Sequence, residues 1–266
     1  MIETKELRSL SMSCKICYED DCVEIENAEE LFVALDLTPP EADGVILSQM
    51  GDKVFQLIRN DSEFLLILQK AFGTKGESKQ PYLRCFGNNL GRVVTTGKTL
   101  SKALALLAEE EDQAYFLQTL GTEGLRRCIT TVADIAEALE WLYGKEDELF
   151  LNLIGWDFIM RFIHSMETLG VVLKHLEKSD EGAALEKIGW PRVLDCIQTP
   201  ADLTYAFSSL IEENVHTLIE QLEAGKLRQL IPVRQELTRI CRRYLSEGNA
   251  CYLKERYDQL LGGGMH

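Results

Sequence analysis

The sequence predicts an all-α fold of the α-solenoid kind, a superhelix of tandem helical repeats, and three observations carry that prediction. Apolar residues recur in steps of 34: Phe116-Leu117, Phe150-Leu151 and Ala184-Leu185, then Leu125, Ile159 and Val193, then Ile135, Leu169 and Leu203. Gly121, Gly155 and Gly189 fall in the same register. A helix-capping residue also recurs in one slot, as Asn27, Asn60, Thr96, Thr131, Ser165 and Thr199. A fixed period of this size marks a chain whose units bury their apolar faces only against their neighbours.

Taken in order, residues 1–45 read as an N-terminal cap ending in a half repeat, in which Asn27, Glu30, Leu31 and Leu35 match Thr131, Asp134, Ile135 and Leu139. Pro39-Pro40 closes that half repeat, because proline offers no amide donor and disfavours helix in the residue before it. Residues 46–245 read as six repeats, the first through Ile46, Gly51, Val54, Ile58, Phe64 and Leu68 and the second through Tyr82, Gly87, Leu90, Val94, Leu100 and Leu104. The polar, breaker-rich stretch 73–81 between them reads as a surface loop. The sixth repeat is eroded, with Glu223 where glycine stood. Residues 246–266 read as a C-terminal capping helix and a disordered Gly-rich tail.

Each unit should hold three short helices. In the fourth, Phe150, Leu151 and Ile154 form one stripe, Ile159 and Ile163 a second, and Leu169, Leu173 and Leu176 a third, all at helical spacing. Gly155 ends the first, as a residue free to take positive φ. The third helix opens on the cap, and Glu30, Glu63, Thr99, Asp134, Thr168 and Asp202 stand three residues beyond it at capping-box spacing. Thr131 and Thr199 are therefore caps and not nucleophiles.

Composition narrows the classes of function. The formal charge is −15, and residues 1–50 carry twelve acids against three bases, which disfavours nucleic acid and anionic membranes and favours a protein partner. No apolar run approaches the length of a membrane span, and Met1–Ser13 has no signal-peptide pattern, so a soluble chain is expected. Of the eight cysteines, Cys128, Cys196 and Cys241 occupy apolar repeat slots, so free buried thiols and a reducing cytosol are expected. Cys14, Cys17 and Cys22 read as a partly exposed thiol cluster, since the four ligands of a structural zinc site are not assembled.

No phosphate loop, metal-protease helix or nucleophile elbow occurs, and His164 takes a slot held by Thr130 and Gln198. The expectation is a non-enzymatic binding module with no metal and no cofactor; the alternatives are an enzyme with its site in the N-terminal segment or the 73–81 loop, or a phosphoinositide or RNA binder. The second helices repeatedly display arginine, as Arg92, Arg126, Arg127, Arg161, Arg192 and Arg228, a candidate cationic ribbon suited to carboxylates or phosphates. The opposing possibility is pairing with acids such as Glu123, Asp157 and Asp195. Trp156 and Trp190, each following a repeat glycine, are either packing wedges or binding anchors. The acidic segment 19–43 is the second candidate surface, and it would select a basic partner.

This pattern of apolar pair, glycine joint, short helix, cap and Leu-rich helix, running from Ile46 to Tyr244, resembles the degenerate 34-residue helical repeats of effectors secreted by intracellular bacteria through the Dot/Icm type IV system. In outline it is similar to tetratricopeptide and armadillo arrays, although it departs from the Trp-Leu-Gly-Tyr order of the former. The resemblance implies a protein translocated into a host cytosol, where it would regulate a host protein or a fellow effector by binding it.

Overall fold

The computed structural model describes residues 14–18, 21–70, 79–142, 144–176, 178 and 180–261. Most of them are helical, and the chain divides into two compact units, residues 1–129 with 141–149, and residues 130–140 with 150–266. The polar part of the 73–81 loop up to Ser78 and the Gly-rich tail lie outside the described residues.

The N-terminal unit opens on an antiparallel hairpin, β1 (Cys14–Tyr18) and β2 (Asp21–Ile25). The hairpin is a local addition to the described residues, which are otherwise helical and agree with the all-α class. The cause is legible locally: Cys14-Lys15-Ile16-Cys17 and Cys22-Val23-Glu24-Ile25 alternate with period two, as a strand with one buried face requires. Then come α1 (Ala28–Leu37), α2 (Pro40–Met50), α3 (Lys53–Leu57), α4 (Asp61–Lys70), α5 (Gln80–Arg84), a 3-10 turn (Gly87–Arg92), α6 (Gly97–Leu106) and α7 (Glu110–Cys128). Pro40 starts α2 where its missing donor costs nothing. α1 packs on α4 and α4 on α6, while α2 packs on α5 and α5 on α7. Phe64, Tyr82 and Phe86 fill the middle, with the Tyr82 ring stacked on Phe64 at 5.7 Å and edge-on to Phe86 at 5.1 Å.

In the C-terminal unit α8 (Val132–Leu139) packs on α11 (Met166–Leu173), α11 on α14 (Pro200–Ser209), and α14 on α17 (Arg234–Tyr244). Between them run the end of α9 (Glu146–Ile154), whose residues up to Leu149 belong to the N-terminal unit, and α10 (Trp156–Ile159), α12 (Glu181–Ile188), α13 (Trp190–Asp195), α15 (Glu212–Gln221) and α16 (Ala224–Leu230). The closing α18 (Glu247–Leu261) covers α15, α16 and α17. The repeat slots are the core: Leu125, Ile159 and Val193, and likewise Ile135, Leu169 and Leu203, are fully buried.

The joints follow the glycines. Gly51, Gly87, Gly121, Gly155 and Gly189 all have positive φ, between 45° and 87°. At Gly121, with φ 65° and ψ 175°, the helical backbone is broken, so α7 is two helices that meet at a kink, as at the other glycine joints. Glu223 has a φ of −82°, and its joint is made without the left-handed residue.

The six caps are present. Asn27, Asn60, Thr96, Thr131, Ser165 and Thr199 accept bonds of 2.9–3.2 Å from the amides three residues on. Asp134, Thr168 and Asp202 accept in turn from the amides of Thr131, Ser165 and Thr199, closing three capping boxes, whereas Glu30 and Glu63 accept from the amides of Glu26 and Arg59, one residue ahead of the cap. α17 has Val233 in this slot and no side-chain cap.

A second register, of buried polar residues, accompanies the apolar one: Lys79, Gln113, Asp147 and Glu181 stand 34 apart and are all buried. Lys79 Nζ donates to the Leu68 carbonyl at 2.8 Å, and Gln113 Nε2 donates to those of Leu107 and Trp141 at 2.9 and 2.6 Å. Glu181 Oε1 accepts from the Ile211 amide and from Asn214 Nδ2. Helix ends leave orphan carbonyls and amides, and buried ones must be bonded. Lys79 and Gln113 meet such carbonyls at the ends of α4 and α6.

Candidate functional site: a groove beside an open strand edge

The groove forms where the hairpin meets α1. It encloses about 780 Å³ and is lined by β2 residues Cys22 to Ile25, by Val33, Ala34 and Leu37 of α1, and by Pro39 and Ile46. Ile25 is buried, and Val23, two positions away on the same face of the strand, stays 52% exposed. Val33 and Leu37 are one helical turn apart and are 46% and 79% exposed. Three of the seven large exposed apolar side chains among the described residues thus line one groove, and clustering of this kind distinguishes a contact surface from scattered surface residues.

The two strand edges differ. Gln49 of α2 donates from Nε2 to the Cys17 carbonyl at 3.2 Å and accepts from the Cys17 amide at 3.4 Å, so those main-chain groups point away from β2. Cys17 faces Cys22 with Cα atoms 4.1 Å apart, the close spacing of a pair that exchanges no ladder bonds. Cys22, and by alternation Glu24, must therefore aim their N–H and C=O outward from the opposite edge. The β1 edge is covered by α2; the β2 edge opens on the groove.

Cys17 and Cys22 are joined by a disulfide, which corrects the expectation of a free thiol cluster for these two. The sequence shows a five-residue separation; only the strand register shows that the two side chains face each other. Cys85, Cys128, Cys196 and Cys241 are buried free thiols, as their repeat slots imply, and Cys251 is exposed. Burial pushes the Cys85 thiol up to about 11 and raises those of Cys196 and Cys241, the opposite of an activated nucleophile.

The ribbon arginines divide between the units. In the N-terminal unit Arg92 lies over the Phe55 ring at 5.5 Å, Arg127 donates to the Gly91 carbonyl at 3.3 Å, and Arg126 is half-buried. In the C-terminal unit Arg161 lies over Phe158 at 5.4 Å, Arg192 pairs with Asp157 and Arg228 is exposed. Pairing with a neighbouring repeat's acid is thus realised at Arg192, and stacking holds Arg92 and Arg161. Trp156 and Trp190 are half-buried. His164 and Cys196 both line a smaller cleft of about 350 Å³ with Arg192, which pairs with Asp157, and with Asp195; burial raises the Cys196 thiol there.

Among the described residues no cluster of His, Cys, Asp or Glu could hold a metal ion, and no helix is long and apolar enough to cross a membrane. The nearest approach to a catalytic constellation is Lys79 with Asp112. Burial pulls the Lys79 ammonium below the usual lysine range, against Asp112 and Asp43, yet its Nζ is committed to the Leu68 carbonyl while its amide donates to Asp112 Oδ2 at 2.6 Å. These bonds anchor the chain where the 73–81 loop returns to α5. No protein-family model, curated protein or solved structure matches this chain.

Proposed function

We propose that this chain is a non-catalytic protein-binding module, an adaptor or inhibitor that holds a partner in the groove between the hairpin and α1. The observation that carries the proposal is the clustering of Val23, Val33 and Leu37 beside an open strand edge. The rows of third helices, each stacked on the next within its unit, support reading each unit as a stretch of α-solenoid, a scaffold that displays such a surface rigidly. The buried free thiols suit a reducing cytosol, where the Cys17–Cys22 disulfide would stand as two thiols, and the repeat pattern suits an effector acting in a host cell.

The acidic segment 19–43 contributes the groove, which makes it a stronger candidate than the arginine ribbon, whose side chains are largely engaged within the chain. Affinity capture with the Val33→Asp/Leu37→Asp variant should lose the proteins retained by the parent, while reversal of Arg126, Arg127 and Arg161 to glutamate should keep them. Both variants must retain the parent's circular dichroism. Retention by the first and loss by the second would return the site to the ribbon.

A further inference from the structure

We propose that the groove takes its partner as an added strand, an extended segment of alternating apolar and basic residues that pairs antiparallel or parallel with the outer edge of β2. This deepens the binding reading above and rests on it. A partner could contact Val33 and Leu37 in any conformation, but three features favour a strand.

First, the outward N–H and C=O groups of Cys22 and Glu24 form a two-residue-spaced row of donors and acceptors at the groove wall, with no partner among the described residues. An incoming strand supplies the complementary row, and main-chain bonds of this kind give affinity while side-chain pockets give selection. Second, the opposite edge is closed by Gln49, so the hairpin offers one docking direction only. Natural proteins cover an edge they do not use. Third, Val23, Val33 and Leu37 lie at the face where alternate side chains of the added strand would fall.

Charge selects among extended segments. Glu24 and Glu29 line the groove and are exposed, whereas the Glu30 carboxylate is already used by the Glu26 amide. Two free acids beside an apolar floor fit a basic, apolar strand. The same acids oppose a second copy of this chain: β2 against β2 in the register centred on Glu24 would set Glu24 against its own copy, and like charges facing across a sheet are destabilising.

The test uses the full chain and a synthetic peptide, acetyl-Lys-Val-Lys-Ile-Lys-Val-Lys-amide. Binding is read by fluorescence anisotropy, and amide hydrogen exchange by NMR. The peptide should bind, and the Cys22 and Glu24 amides should become protected while those of Val23 and Ile25, already in the ladder, change little. Methylating alternate peptide nitrogens, or replacing its lysines by glutamate, should each weaken binding by about tenfold or more. Glu24→Pro removes one outward donor without touching a ladder bond and should weaken binding beyond the Glu24→Gln control; the methylated peptides give the same answer without altering the protein.

Absence of peptide binding, binding without protection at Cys22 and Glu24, or indifference to methylation would overturn strand addition. So would dimers of this chain that protect the same amides. Failure of strand addition is distinguishable from failure of the binding reading: partners lost on Val33→Asp/Leu37→Asp but indifferent to Glu24→Pro would leave the groove a binding site for another conformation.

Discussion

Glu181 Oε1 accepts a 2.7 Å hydrogen bond from Asn214 Nδ2, and both side chains are buried in the C-terminal unit. The Ile211 amide gives the same oxygen a 3.0 Å bond, so one carboxylate ties the start of α12 to the start of α15. Replacing Asn214 by alanine leaves this buried acceptor short of a donor, and a cost of about 1–3 kcal/mol is expected. Urea denaturation checks it, with the exposed Glu213→Ala as a control expected within about 0.5 kcal/mol of the parent.

The apolar register makes a separate claim. Leu139→Ala truncates a buried leucine in the core of the C-terminal unit and should cost about 2–5 kcal/mol in the same assay. A loss below about 0.5 kcal/mol, the range of surface positions, would refute the assigned register.

Stability in acid should depend on the caps. Burial opposes ionisation of Asp134, but the amides and hydroxyls of Thr130 and Thr131 outweigh it and hold the carboxyl below its ordinary value. A carboxyl lowered in the folded state adds stability that is full above its unfolded value near 3.8 and is lost as pH falls through the lower folded value. Asp134→Asn should therefore lower Tm at neutral pH and leave a shallower fall of Tm as pH drops from about 3.8 through the lower folded value, as measured by scanning calorimetry across pH.

Thiol labelling should separate the cysteines by environment. In the native, unreduced chain Cys251 should react first, Cys85, Cys128, Cys196 and Cys241 only on unfolding, and Cys17 and Cys22 only after reduction. Mass spectrometry of the labelled peptides reads these seven of the eight cysteines. Rapid native labelling of Cys128 would contradict its burial.

The repeat scaffold was legible because its signals are many and alike. Leu125, Ile159 and Val193 are chemically equivalent, and Thr131, Ser165 and Thr199 do the same work with the same atoms. The polar row was hidden for the opposite reason. Lys79, Gln113, Asp147 and Glu181 share a slot but no charge or shape, and only the period itself could have exposed them. The hairpin has a single copy, so Cys14–Ile25 offered no repetition to read, although its period-two alternation was available. The segment 19–43 stood in the sequence only as a second surface behind the arginine ribbon, and the closing of the β1 edge depends on Gln49 reaching Cys17, a contact 32 residues apart that no local pattern encodes.

The central claim is that a second protein is held at the groove, and site-specific photocrosslinking tests it most directly. A benzophenone side chain placed at Leu37 of the full chain should capture one discrete partner on irradiation in cells, and Val33→Asp in the same chain should abolish the product. The same probe at Arg161 should capture nothing. A product from Arg161, with none from Leu37, would contradict the account.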